Sequence, residues 1–166
     1  FLSLAHNSLV GQVPSKLGKN NSPGLIKLDL TGNNLFGPIP SSICTGNRLS
    51  VLALGNNQFN GSFPIGIEKC SSLRRVILRN NLLQGNIQAD LSKNSGISFL
   101  EVRNNLLVGT IPPVLGYWSN LTMLDLSENG LSGTIPPELS KLEDLQILRL
   151  SSNGLAGSIP SELGHC

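Results

Sequence analysis

One asparagine returns every 24 residues along most of this 166-residue chain: Asn33, Asn57, Asn81, Asn105, Asn129 and Asn153, preceded by Asn7 at an interval of 26. Around each, one pattern recurs: apolar, any, apolar, any, any, Asn, any, Leu or Phe, any, Gly, any, apolar. The glycine is present in all seven copies, as Gly11, Gly37, Gly61, Gly85, Gly109, Gly133 and Gly157. Proline follows the last apolar position in six of them, and Gln88 is the departure. Each repeat of this length can bury its apolar side only against its neighbours. The chain must therefore stack as a solenoid, an architecture whose usual use is to present a long surface to a partner.

Each copy opens with a short strand such as Leu28-Asp29-Leu30 or Leu148-Arg149-Leu150. Alternate residues face opposite sides, so both leucines enter the core and the residue between them faces out. Stacked in parallel at about 4.8 Å, seven such strands make a ribbon roughly 30 Å long. The asparagine sits where the chain leaves the strand and turns inside the body. Its amide offers donors and an acceptor to turning backbone groups that no strand partner reaches, so stacked copies should form a buried ladder.

The stretch Leu131-Ser132-Gly133-Thr134-Ile135-Pro136 resembles the plant-specific version of the leucine-rich repeat, and the resemblance to plant extracellular leucine-rich-repeat proteins covers nearly the whole chain. It implies an α/β solenoid, a right-handed superhelix with a parallel β-sheet on the concave face and an irregular or 3₁₀ convex side. Proline would end a ladder, and segments such as Pro137-Glu138-Leu139-Ser140-Lys141-Leu142 would form the convex wall. The expected domain is one array over residues 1–166 with about seven 24-residue repeats and no linker. A two-residue insertion falls in Gly18–Gly24. Solenoids need polar caps, yet Phe1 already lies within a strand and Cys166 lies between the last proline and the next strand. The expectation is a fragment of a longer ectodomain lacking both caps.

Composition narrows the function classes. Charged residues are 13% of the chain and the net charge is +2, which makes no basic field suited to nucleic acid. No apolar run approaches 18 residues, so any membrane contact would come through other parts of the parent. His6 and His165 lie at opposite ends of the ribbon, and neither has a nucleophile and carboxylate beside it. Cys44, Cys70 and Cys166 are too scattered for a zinc knuckle, and Gly154-Leu155-Ala156-Gly157 lacks a phosphate-loop lysine. The reading is of a binding protein without cofactor, metal or catalysis.

Cys44 lies 11 residues after Asn33 and Cys70 lies 13 after Asn57, on the convex side of adjacent turns. Their Cα atoms could fall within the roughly 4.4–6.8 Å window of a disulfide. The alternative is a pair of buried thiols packing like small apolar residues. A bridge implies an oxidising compartment and hence secretion. Three glycosylation sequons, at Asn20, Asn60 and Asn120, point the same way, and none uses a ladder asparagine.

Outward strand positions are where recognition would live. Val51, Ile77, Phe99, Met123 and Ile147 form an apolar track, and Arg75, Arg79 and Arg103 cluster beside it. Two cations about 5 Å apart repel by roughly 1 kcal/mol in water and about 3 kcal/mol at a surface dielectric near 20. Glu101 and Asp125 could relieve that from within, and a ligand anion could relieve it from outside. The expected ligand site is thus Arg75, Ile77, Arg79, Phe99, Glu101, Arg103, Met123 and Asp125.

The run from Ile43-Cys44 to Lys69-Cys70-Ser71-Ser72-Leu73-Arg74-Arg75-Val76-Ile77 looks like the ectodomains of plant receptor kinases that perceive short secreted peptides. In those relatives a cysteine pair one turn apart is followed by a strand bearing Arg-any-Arg, which grips the peptide's free carboxylate. Here the matching positions are Arg75 and Ile77, so the second arginine is absent, and Arg79 is the nearest substitute. The resemblance implies the ligand-binding segment of a plant cell-surface receptor, extracellular and glycosylated. Its partners would be a secreted peptide or protein and a co-receptor, and any serine/threonine kinase domain would lie elsewhere in the parent. The alternative is a secreted inhibitor or defence protein of the polygalacturonase-inhibitor type.

Overall fold

The structure, a computed structural model, describes residues 1–17, 24–63, 70–87 and 96–165. Seven short strands stack in chain order in one parallel sheet: β1 (Leu2–Ser3), β3 (Lys27–Asp29), β5 (Val51–Ala53), β7 (Arg75–Ile77), β9 (Phe99–Glu101), β11 (Met123–Asp125) and β13 (Ile147–Arg149). The register advances one repeat per strand, so Val51, Arg75, Phe99, Met123 and Ile147 form one row and Ala53, Ile77, Glu101, Asp125 and Arg149 the next. This is the concave sheet the repeat calls for.

A second parallel sheet of seven strands lies beside it, and the sequence pattern did not announce it. Its members are β2 (Val10–Gly11), β4 (Asn34–Pro38), β6 (Gln58–Ser62), β8 (Leu82–Asn86), β10 (Leu106–Thr110), β12 (Gly130–Gly133) and β14 (Gly154–Leu155). Proline can end such a ladder, and the irregular or 3₁₀ structure expected of the convex side begins only beyond it. Its recurring position falls after the strand, as at Pro40, Pro112 and Pro136, so the backbone N–H groups before it stay free to pair. Beyond those prolines come 3₁₀ turns, Ser41–Cys44, Pro113–Tyr117 and Pro137–Lys141, which build the convex wall.

The core is a set of stacked rows. Leu28, Leu52, Val76, Leu100 and Leu124 form one, Leu35, Phe59, Leu83, Leu107 and Leu131 another, and Ile43, Leu115, Trp118, Leu139 and Leu142 close the convex side. Between the rows runs the asparagine ladder. From Asn33 to Asn153, each Nδ2 donates to the carbonyl three residues back in its own repeat, at 3.0–3.2 Å. It also donates to a carbonyl of the preceding repeat at 2.9–3.1 Å. Each Oδ1 accepts a backbone N–H of the preceding repeat at 3.0–3.1 Å. Asn33, Asn81 and Asn105 are buried, and Asn57, Asn129 and Asn153 are half-buried. Aspartate could only accept here, so the amide is the group that satisfies both sides.

Two positions carry backbone constraints. The recurring glycine has φ between +77° and +103° in every copy, a left-handed region that explains its retention. The residue before the ladder asparagine is also left-handed, at φ +53° to +56° in His6, Asn56, Asn80, Asn104, Glu128 and Ser152. The sequence pattern reads that position as free. Three of these residues are asparagine, the side chain that tolerates this conformation best after glycine.

Cys44 and Cys70 are joined by a disulfide with a Cα–Cα distance of 5.1 Å, and both are buried. Closing a loop of this size should contribute about 3–4 kcal/mol in the chain-entropy model. Mass spectrometry of unreduced protein should recover the two peptides linked, and free-thiol labelling of both would contradict it. Asn105→Ala should cost about 3 kcal/mol or more in urea unfolding, because the carbonyls of Leu78 and Val102 and the N–H of Leu83 lose their partner. Asn105→Asp should be no better, since it sets carboxylate oxygens against carbonyls.

Candidate functional site

The residues expected at a ligand face do converge on the concave sheet, but their charges pair differently from the simplest expectation. Arg79 Nη1 donates to both carboxylate oxygens of Glu101 at 3.2 Å, on the adjacent repeat. Asp125, the other expected counter-charge, faces Arg149 instead, with Nη1 3.5 Å from Oδ2. Arg103 finds Glu128, with both Nε and Nη2 at 3.0 Å from Oε1. Glu128 escaped the sequence reading because it occupies the left-handed position before Asn129. Its neighbour-repeat partner could have been sought 25 residues back, the offset at which Arg103 lies.

Arg75 has no ion pair among the described residues. Its guanidinium carbon lies 3.9 Å from the centroid of the Phe99 ring, a cation–π contact with the adjacent strand. The local sum is four cations (Arg75, Arg79, Arg103, Arg149) against three carboxylates (Glu101, Asp125, Glu128), with the surplus at Arg75. Around it, Val51, Ile77 and Phe99 are half-buried, Met123 is buried and Ile147 is exposed. The face thus combines one pre-oriented, uncompensated guanidinium with a strip of apolar surface.

Toward β3, Lys27 lies 3.4 Å from Asp29 and over the Phe1 ring. Burial pushes the Asp29 carboxyl up. Hydrogen bonds from Thr31 and Lys27, with the Lys27 charge, outweigh this and hold it below its ordinary value.

Alongside the charged pairs the left-handed asparagines form a second, outer ladder: Asn104 Nδ2 donates to Asn80 Oδ1 at 3.0 Å, and Asn80 Nδ2 to Asn56 Oδ1. Of the sequon asparagines, Asn60 is exposed on β6 and Asn120 is exposed after the 3₁₀ turn Pro113–Tyr117. Asn20, Cys166 and most of the Gly18–Gly24 insertion lie outside the described residues.

Residues 95–155 match the family described as Leucine rich repeat, and residues 24–45 match a second described as Leucine Rich Repeat. Over 61 residues the chain is 41% identical to Receptor-like protein 30 of Arabidopsis thaliana, covering 37% of this chain and 8% of that protein. Its structure superposes on PEPR1 in the PEPR1–AtPEP1 crystal structure with a TM-score of 0.92 and 39% identity, over 99% of this chain and 23% of that one. The Arabidopsis receptor kinase HAESA, solved with the peptide hormone IDA and the co-receptor SERK1, matches with a TM-score of 0.90 and 36% identity, over 99% of this chain and 27% of that one. The chain therefore spans about a quarter of those solved receptor chains.

Because Arg103 is neutralised at the surface, Arg103→Glu and Glu128→Arg should each cost no more than about 1 kcal/mol of stability. The charge-reversed double variant should recover most of it in a double-mutant cycle. Coupling indistinguishable from zero would mean that the pair does not form in solution.

Proposed function

We propose that this leucine-rich-repeat chain, which closely matches plant receptor-kinase ectodomains in structure, is the ligand-reading segment of a plant cell-surface receptor. The single observation that carries the reading is Arg75: a cation without a carboxylate partner among the described residues, stacked on Phe99 within an apolar strip of the concave sheet. A solenoid commits its core rows to packing, so an uncompensated charge held in place on the outward face is free to serve recognition. The guanidinium edges suit an anionic group, a free carboxylate above all, bound by two parallel N–H bonds. Phe99 and Ile77, both half-buried, offer the neighbouring apolar contact, with Met123 packed beneath the strip. The ion pairs Arg79–Glu101 and Arg103–Glu128 hold the rim, while Asp125 flanks the strip.

The ligand is then a secreted peptide or protein presenting a terminal carboxylate beside a short apolar stretch, with a co-receptor completing the complex. The disulfide and the exposed Asn60 and Asn120 sequons fit an extracellular, glycosylated protein. HAESA, with its peptide hormone and co-receptor, supplies the analogy for the partner class. A membrane span further along the parent chain would support the receptor over a secreted inhibitor.

The test is a panel of short apolar synthetic peptides, each made with a free C-terminal carboxylate and as the amide. Free acids should bind better than amides, and Arg75→Gln should abolish the difference. Phe99→Ala should cost about 2 kcal/mol, as an interface anchor does, while Lys141→Ala on the convex wall should cost almost nothing. Equal binding of acids and amides by the unmodified chain would sink the proposal.

A further inference from the structure

Among the described residues one buried side-chain oxygen has no hydrogen-bond partner, and it belongs to an acid of the concave face. Asp29 is held by Lys27 and by the Thr31 N–H, Glu101 receives Arg79 on both oxygens, and Glu128 receives Arg103. Asp125 is different. Its residue is wholly buried, and Oδ1 accepts from both the N–H and the hydroxyl of Ser127. Among the described residues Oδ2 accepts no hydrogen bond, and the cation it faces, Arg149 Nη1, stops at 3.5 Å. That arginine is 56% exposed on a long, flexible stem. A buried carboxylate with one bare oxygen is costly, and a cation that meets it without a hydrogen bond leaves most of that cost standing.

We infer that Asp125 is a seat for the guanidinium or ammonium group of a basic ligand residue, over which Arg149 lies as a displaceable stand-in. Ser127 pins Oδ1 and so fixes the direction in which Oδ2 is offered. An incoming cation able to donate in that direction supplies the charge-assisted bond that Arg149 does not make. Met123 on the same strand and Phe99 on the next give apolar walls against which the methylene stem of a lysine or arginine can lie.

The inference rests on the reading of the concave sheet as a ligand face, and it adds a second pole to it. Asp125 is two strands from Arg75 and two positions further along the strand direction. With strands about 4.8 Å apart and a rise of about 3.3 Å per residue, the poles are roughly 12 Å apart. Three or four extended residues span that distance. The ligand class is thus a peptide carrying a basic residue three or four positions from its terminal carboxylate, lying obliquely across β7 to β11.

Methylguanidinium chloride is the probe, titrated into the isotopically labelled chain and followed by the NMR shifts of the Ser127 amide. Arg149→Ala removes the stand-in and should bind the probe roughly tenfold tighter than the unaltered chain, as expected when a competing state is removed. Asp125→Asn should show no saturable shift. Arg149 is exposed, so its alanine variant tests the idea even if Asp125→Asn fails to fold. No tightening in Arg149→Ala, or equal binding by a folded Asp125→Asn, would overturn the seat. Arg75→Gln should leave this titration unchanged while weakening the free-acid peptides, so that failure at one pole is distinguishable from failure at the other.

Discussion

The hydrogen bond from one asparagine amide to the carbonyl of the preceding repeat is the contact on which the rest of this structure depends. Six times it ties a turning backbone to its neighbour at 2.9–3.1 Å. The reciprocal bond to each Oδ1 ties it back again. Without these bonds the inside of every turn would hold bare polar backbone, which an apolar core cannot satisfy. With them, successive repeats are locked at one translation, and every outward side chain on the concave sheet acquires defined neighbours one strand to either side. The concave face inherits its order from a ladder that lies behind it.

That order lets a chain with few charges make a differentiated surface. Charged residues are scarce, at 13%, yet they gather on neighbouring strands where each guanidinium is given a separate task. Arg79 and Arg103 are spent on carboxylates, Arg75 is stacked on an aromatic ring, and Arg149 rests over a buried acid. Exposed pairs of this kind add little stability. Their consequence is positional: they hold long side chains in one geometry and leave a surplus charge at a known place beside Phe99 and Ile77.

The second sheet has a mechanical role in this arrangement. Strands such as β8 and β10 follow directly on the left-handed residues and ladder asparagines, so the turn between the two sheets is bonded on both sides. Such bonding fixes the face before any partner arrives, and preorganisation of this kind is what lowers the entropic cost of association in general.

The sequence by itself determined whatever depends on translation from one repeat to the next: the parallel concave strands, the rows of core leucines, the asparagine ladder, the 3₁₀ wall after the prolines and the closeness of Cys44 to Cys70. Each follows from residues of one type recurring at one interval, because stacking brings equal positions together. The glycine also belongs here, its positive φ being the reason it recurs. Only the tertiary structure decided what depends on backbone twist and side-chain direction within a repeat. The left-handed turn at Glu128 brings its carboxylate to Arg103, Ser127 claims one oxygen of Asp125 and leaves the other to Arg149, and the stretch before each proline pairs as a second sheet. A repeating pattern records that such positions vary. It is silent on which varying neighbour a flexible arginine will reach, since that choice is made in space, among side chains from adjacent repeats.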